Sequence, residues 1–593
     1  MRKFFIISLL LITACSYGQN ELLAKNYFDR GEYEKALVLF DKLYMANPER
    51  LDFFMFVLQA NQQLERFEVA EGMLLEKLNS RRVNPQLFVE LGHNYSLQDK
   101  DSLSEVNYNK AIQYVKENPV YAYIVGKSFE EYSLLDQAVN VYETAMELDP
   151  GKDYNVQLAR IYGELGDLEK MFDTYLSLMS KNPAYRPLAK RNFSQYVTED
   201  PENEGNVLLR KILLKRSQAE PDLLFNELLS WLFIQQKDFK KAFAQEKAIY
   251  KRNDEDLGGI IDLALIAISE ESYEQAREIV EFIISEAPTA DLALQGQQYR
   301  MRILLETSEK SDYPLIEKEF QSLLDGYGRS PQTYSLRIDY NHFLAFSSNK
   351  KQQAIENLKA LAKENLTIYQ QARVKMELAD ILVYDEKFNE ALIYYSQIQK
   401  NVKNDILAQE ARFKVAKTSY YKGDFQWAQL QLDVLKKSAS QLISNDAMEL
   451  SLMIRDNSLE DSTQTALKKF ARADLLALQN RNTEAILALN EILENHKGEK
   501  IEDEVLLKLG KIYEETKQYE KAEASYLKLI EFYGSDILSD DAHFRLAKLY
   551  EDVLLQPEKA RKLYEAIIFN FADSIYFVEA RKRFRMLRGD AIN

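Results

Sequence analysis

The sequence predicts an all-α protein, a solenoid of stacked antiparallel helix hairpins. Three observations carry this expectation. Glycine (19) and proline (12) are scarce in 593 residues, so the breakers that a strand-and-turn fold requires are missing. Hydrophobic residues make up 46% and charged residues 28%, which suits a folded chain, yet the length exceeds what one core supports. Small residues also recur at a spacing of 33 or 34 over the first part of the chain.

Taken in order, the first element reads as a leader. Arg2 and Lys3 form a charged start and Phe4 to Ile12 a short apolar run, too short to remain as a bilayer-spanning helix. No later stretch is apolar for long enough to span a bilayer. Cys15 is the only cysteine, so no internal disulfide can form. Ile12-Thr13-Ala14-Cys15 resembles a lipobox, in which the cysteine is the lipidated residue. Ser16-Tyr17-Gly18 is an equally legal small-x-small cleavage site. The leader is then 1–18, or 1–14 in a lipoprotein. The expected location is the periplasm, with outer-membrane anchoring through Cys15; a soluble periplasmic protein is the alternative.

The repeats start immediately afterwards. Ala36, Ala70, Ser104, Ala138 and Met171 mark one position, and Phe40, Leu74, Tyr108, Tyr142 and Tyr175 follow four residues later. Ala24, Leu58, Gly92, Gly126 and Ala159 stand twelve residues before. Small residues on both helices allow close approach of the backbones, and the large residues fill the remaining holes. Prolines such as Pro48, Pro150 and Pro183 end the units. A single hairpin cannot bury its apolar face, so the units must stack. Later anchors are Ala242, Ala276, Ala354, Ala391, Ala428, Ala485, Ala522 and Ala560. The expected organisation is an N-terminal array of about five repeats at 20–185, degenerate helical repeats at 186–350, and a C-terminal array of longer repeats at 351–593, about twelve to fourteen hairpins in all.

"VYAYIVGKSFEEYSLLDQAVNVYETAMELDP" (Val120 to Pro150) resembles a tetratricopeptide repeat, with Gly126, Phe129, Ala138, Tyr142, Ala145 and Pro150 on the signature positions. "LAKNYFDRGEYEKALVLFDKLYMANP" is similar, as are the late segments containing Ala522 and Ala560. The longer late units resemble repeats of exported tetratricopeptide proteins, such as outer-membrane assembly lipoproteins and the Tol-Pal coordinator. The resemblance implies a right-handed superhelix that binds proteins on its concave side.

Catalytic chemistry finds little support. His93, His342, His496 and His543 are far apart in sequence and show no zinc spacing. "IVGKS" lacks the earlier glycine of a phosphate loop, and Gly126 falls inside a repeat helix. No nucleophile-elbow motif is present. The expectation is a non-enzyme without cofactor or metal. A net charge of -17 argues against nucleic acid as the partner.

Family geometry places the residue after the small position of each first helix in the groove. These are Lys25, Gln59, His93, Lys127 and Arg160. One turn earlier stand Glu21, Met55, Val89, Tyr123 and Val156. The groove is expected to carry a partly cationic rail, Lys25 to Arg160, beside an apolar stripe of Met55, Val89, Tyr123 and Val156. Such a surface suits an extended peptide or helix of a protein partner. The expected role is a scaffold or adaptor in outer-membrane assembly, secretion or envelope maintenance. The alternative is a glycan-binding outer-membrane lipoprotein of a nutrient-uptake system, using exposed aromatics such as Trp231 or Trp427. The basic tail at Arg581, Lys582, Arg583, Arg585 and Arg588 complements the dipole of a last, capping helix.

Overall fold

The computed structural model describes residues 20–79, 83–219, 222–253, 256–438, 440–458 and 463–589. Every regular element among the described residues is helical. Cys15 and the leader lie outside them. The chain divides into two compact units, Met1–Arg252 and Asn253–Asn593.

The first unit contains seven helix hairpins among the described residues. Their first helices are 20–29, Leu51–Gln63, Gln86–Ser96, Ala122–Glu131, Asn155–Glu164, Arg186–Phe193 and Leu223–Gln235. The second unit contains eight, from Gly258–Ser269 and Tyr273–Glu286 to the pair ending in Pro557–Asn570, with a lone last helix, Phe577–Arg588. An additional helix, Gln441–Asp456, stands between two hairpins where the anchor spacing stretches from Ala428 to Ala485.

The turn inside each hairpin explains the period. In thirteen hairpins among the described residues one turn residue is left-handed and lies five positions before the small anchor, from Gly31 before Ala36 to Leu555 before Ala560. The following N–H closes the preceding helix, as Arg66 N does on Asn61 O at 2.8 Å and Leu134 N on Phe129 O at 2.8 Å. This is the αL helix stop, and it fixes how far the second helix starts from the end of the first. Glycine fills the position at Gly31, Gly166 and Gly423 only; elsewhere ordinary side chains accept the strain.

Every anchor from Ala36 to Ala560 is buried. The close approach is tight at three glycines, and a Cβ on Gly92 would lie 2.4 Å from Tyr108 Cε1. A Cβ on Gly126 would lie 2.5 Å from Tyr142 Cζ, and one on Gly510 2.3 Å from Tyr526 Cε1. Ala547 and Ala560 are thirteen apart where most hairpins have twelve, and the extra residue is absorbed by a π-helical segment, Leu549–Val553, as one is by Phe343–Ser347 between Asn341 and Ala354.

In the second unit, turns of two non-consecutive hairpins touch. Gln479 Nε2 donates to Tyr384 O at 2.9 Å, the Tyr384 hydroxyl donates to Gln479 O at 3.2 Å, and Arg472 pairs with Glu386 at 2.7 Å. The stack there is drawn tight across the intervening turn.

Candidate functional site

The expected rail lies on the first helices of the first unit. Each of its residues follows a buried residue, small in all but Leu58, so it must emerge on the face opposite the hairpin core. The row extends beyond the five residues read from the sequence. Ala189 and Ser230 are buried at the same place in the next two hairpins, and Lys190 and Trp231 follow them. Both lie in the segment whose repeat signature is weak; the small residue twelve before Ala242 was the available signal for Trp231. The Lys190 ammonium lies 6.0 Å from the Trp231 ring, and burial lowers its pKa.

The structure corrects the cationic character of the rail. Lys25 is bound to Glu21 at 2.8 Å. Arg160 pairs with Glu130 and, at 2.6 Å, with Glu164. His93 stacks on Tyr132 with ring centroids 3.6 Å apart, and burial pulls its imidazole down to about 4, so it is neutral at pH 7. Gln59 faces the Tyr132 hydroxyl. Of the five, Lys127 alone is an exposed cation with no ion pair among the described residues.

The apolar stripe is corrected at one position. Val89 is fully buried and presents nothing to a partner, because its hairpin turns that position into the core. Met55 is half-buried against the cluster of Phe54, Leu58 and Leu91. Tyr123 is exposed and Val156 half-buried.

Beneath the rail sits a carboxyl that sequence reading missed. Glu90 is wholly buried, accepts a hydrogen bond from the Tyr132 hydroxyl, and leaves Oε1 without a partner. Desolvation pushes it up to about 8, so the folded protein holds it protonated at neutral pH. Buried Asn94 next to it donates to Phe67 O at 3.0 Å. A charged residue at a helix position gives no sign in the sequence that it points inward.

Four of the nine expected residues converge. Tyr123, Lys127, Val156 and Arg160 line a cleft of about 330 Å³ between the first helices Ala122–Glu131, Asn155–Glu164 and Arg186–Phe193. Leu188, Arg191 and Asn192 form its far wall, and the Tyr142 and Tyr175 rings reach its floor from the second helices. Lys25, Gln59, Met55 and His93 belong to earlier hairpins and do not contribute. The cleft mixes apolar side chains, Val156 and Leu188, with tyrosine rings and polar groups, the Glu130 carboxylate among the cations Lys127, Arg160 and Arg191, a set that suits a polar chain segment. Among the described residues no cluster of His, Cys, Asp or Glu could hold a metal ion. No helix among them is long and apolar enough to cross a membrane.

No curated protein matches the chain. Two solved structures match along nearly the whole length with low superposition scores. Naa15/Naa10 bound to HypK-THB is 11% identical with a TM-score of 0.31, covering 97% of both chains. The APC/C hetero-tetramer Cut9-Hcn1 is 14% identical with a TM-score of 0.24, covering 96% of both chains. Residues 503–536, which hold the hairpin around Gly510 and Ala522, match the tetratricopeptide repeat family. The chain is therefore an all-α solenoid that carries a tetratricopeptide repeat at 503–536, among hairpins built on the same small-residue and turn geometry.

Proposed function

We propose that the chain is a non-catalytic interaction scaffold of a bacterial cell envelope that holds an extended segment of a protein partner on the first-helix face of its first unit. The cleft between residues 123 and 192 carries this reading, because residues from three consecutive hairpins meet there, with apolar, aromatic and charged side chains on one lining. A repeat stack that presents successive first helices on one face suits binding an extended segment. The leader and the lipobox-like Ile12-Thr13-Ala14-Cys15 support export and anchoring at the outer membrane, where outer-membrane assembly, secretion or envelope maintenance would use such a scaffold.

Photo-crosslinking in intact envelopes tests the reading. A crosslinker at Tyr123 gives a discrete adduct with one protein, while one at Val106, exposed on a second helix, does not. Absence of any Tyr123 adduct, together with binding of a soluble polysaccharide, sinks the scaffold in favour of a glycan receptor. Cys15→Ser moves the protein from the membrane to the soluble fraction; unchanged fractionation rejects the anchor.

A further inference from the structure

Second-helix tyrosines in this chain make one recurrent bond. The Tyr142 hydroxyl donates to Glu130 at 2.7 Å, Tyr526 donates to Glu514, and Tyr564 donates to Glu551 at 2.7 Å. In each case the acceptor lies four residues after the small residue of the first helix, Gly126, Gly510 or Ala547. The element after it adds a cation in two of them, Arg160 from the next hairpin on Glu130 and Arg583 from the lone last helix on Glu551 at 2.9 Å. The unit is thus a buried hydroxyl, a carboxylate and a cation from the neighbouring repeat, a charge-assisted set.

The carboxylate is not in every such hairpin: Ser96 stands at its place in the hairpin of Tyr108 and Val383 in that of Tyr395, which donates to Asp380 instead, and the hairpin of Tyr175 lacks it too. Four residues after Ala159 stands Gly163. Tyr175 keeps its ring in the core, yet its hydroxyl makes no hydrogen bond among the described residues and lines the cleft. Tyr196 places a second hydroxyl near the same spot: a Cβ on Gly163 would lie 2.9 Å from it, and that hydroxyl also lacks a hydrogen bond among the described residues. Arg191, on the neighbouring first helix, is exposed and has no ion pair among the described residues, as is true of Lys127 across the cleft. The cation and the hydroxyl of the recurrent set are present and the acceptor between them is absent.

We infer that the cleft receives an acidic side chain, Glu or Asp, from an extended segment of the partner, held by the Tyr175 hydroxyl and the Arg191 guanidinium in the slot that Glu130, Glu514 and Glu551 occupy in their own hairpins. This deepens the scaffold reading and rests on it. The source is a side chain, because a glutamate side chain fills the equivalent place beside Tyr142, Tyr526 and Tyr564, with Lys127 across the cleft for a second acid. Electrostatics make this selective. The chain as a whole is strongly acidic, with a net charge of -17, so an acidic segment is repelled elsewhere and attracted at this point.

Fluorescence anisotropy with the full chain decides the matter, using labelled hexaglutamate amide, hexaglutamine amide and hexaglutamine with a free C-terminus. Hexaglutamate amide binds, and raising the salt weakens it; the two glutamine peptides bind at least tenfold more weakly. Arg191→Gln with Lys127→Gln lowers affinity at least tenfold, and Tyr175→Phe lowers it three- to tenfold. Gly163→Glu restores the internal carboxylate and blocks the peptide. The added Cβ would lie 2.9 Å from both the Met171 sulfur and the Tyr196 hydroxyl, and thermal melting of each variant confirms folding. Wild-type chain that ignores hexaglutamate amide, or folded Arg191 and Tyr175 variants that bind it as tightly as wild type, overturns the inference. Equal binding of free-acid hexaglutamine overturns the side-chain source. A Tyr123 crosslink that persists while hexaglutamate amide fails to bind refutes this inference and leaves the scaffold standing.

Discussion

Glu90 shows how much one buried side chain contributes. Its carboxyl ionises near 4.5 in an unfolded chain and only near about 8 when folded. Between those values the unfolded state gives up a proton that the folded state keeps, so this group's stabilisation is complete below 4.5 and is lost as the pH rises towards 8. Glu90→Gln removes that loss. Calorimetry should find the variant melting above wild type at pH 8, with the advantage gone at pH 4; an unchanged difference across that range contradicts a buried neutral carboxyl. Gly126 operates through space instead of charge. A methyl group there strikes the Tyr142 ring, so Gly126→Ala should cost about 1–3 kcal/mol in urea unfolding even though alanine favours helix.

At the scale of the element, the hairpin turn sets the spacing. The left-handed residue five before each anchor stops the first helix and starts the second, so its backbone is constrained whatever its side chain. Leu555 sits there with φ of 52° and is 77% exposed, a branched side chain in a conformation that favours glycine. Leu555→Gly should therefore stabilise the protein by about 0.5–1 kcal/mol, read as a shift in denaturation midpoint. The turn was hidden in the sequence because glycine marks it only at Gly31, Gly166 and Gly423. The small anchors, by contrast, were plain in the sequence, since close helix contact tolerates few side chains. They located hairpins as far as Ala560, including those without a repeat signature. Residues 290–347 gave no such anchor until Ala354, yet they also fold as hairpins, because apolar positions such as Ile316, Phe320 and Leu324 at helical spacing suffice for packing.

Over the whole molecule, stability is a sum over neighbours, so the ends of a stack are its weakest parts. The last helix, Phe577–Arg588, has one fully buried residue, Ala580, and is tied to the preceding hairpin by Arg583 on Glu551. Its amides should exchange with solvent well before those of Glu502–Glu515, which has neighbours on both sides. Slower or equal exchange at 577–588 would mean that something other than nearest-neighbour packing secures that end. The basic residues of the tail are partly committed in this way, which fits a capping role.

The sequence by itself determined the helical class, the repeat spacing, the buried anchors and the line of first-helix residues after them. These follow from local rules: period, residue size and the scarcity of breakers. Tertiary structure decided what that line presents. Arg160 and Lys25 spend their charge on neighbouring glutamates, His93 loses its charge to burial, and Val89 turns inward. Three hairpins had to stack before Tyr123, Lys127, Val156 and Arg160 could share a cleft with Arg191 and Tyr175. Period locates a residue on a helix face, but only the packed neighbour determines whether its charge remains available.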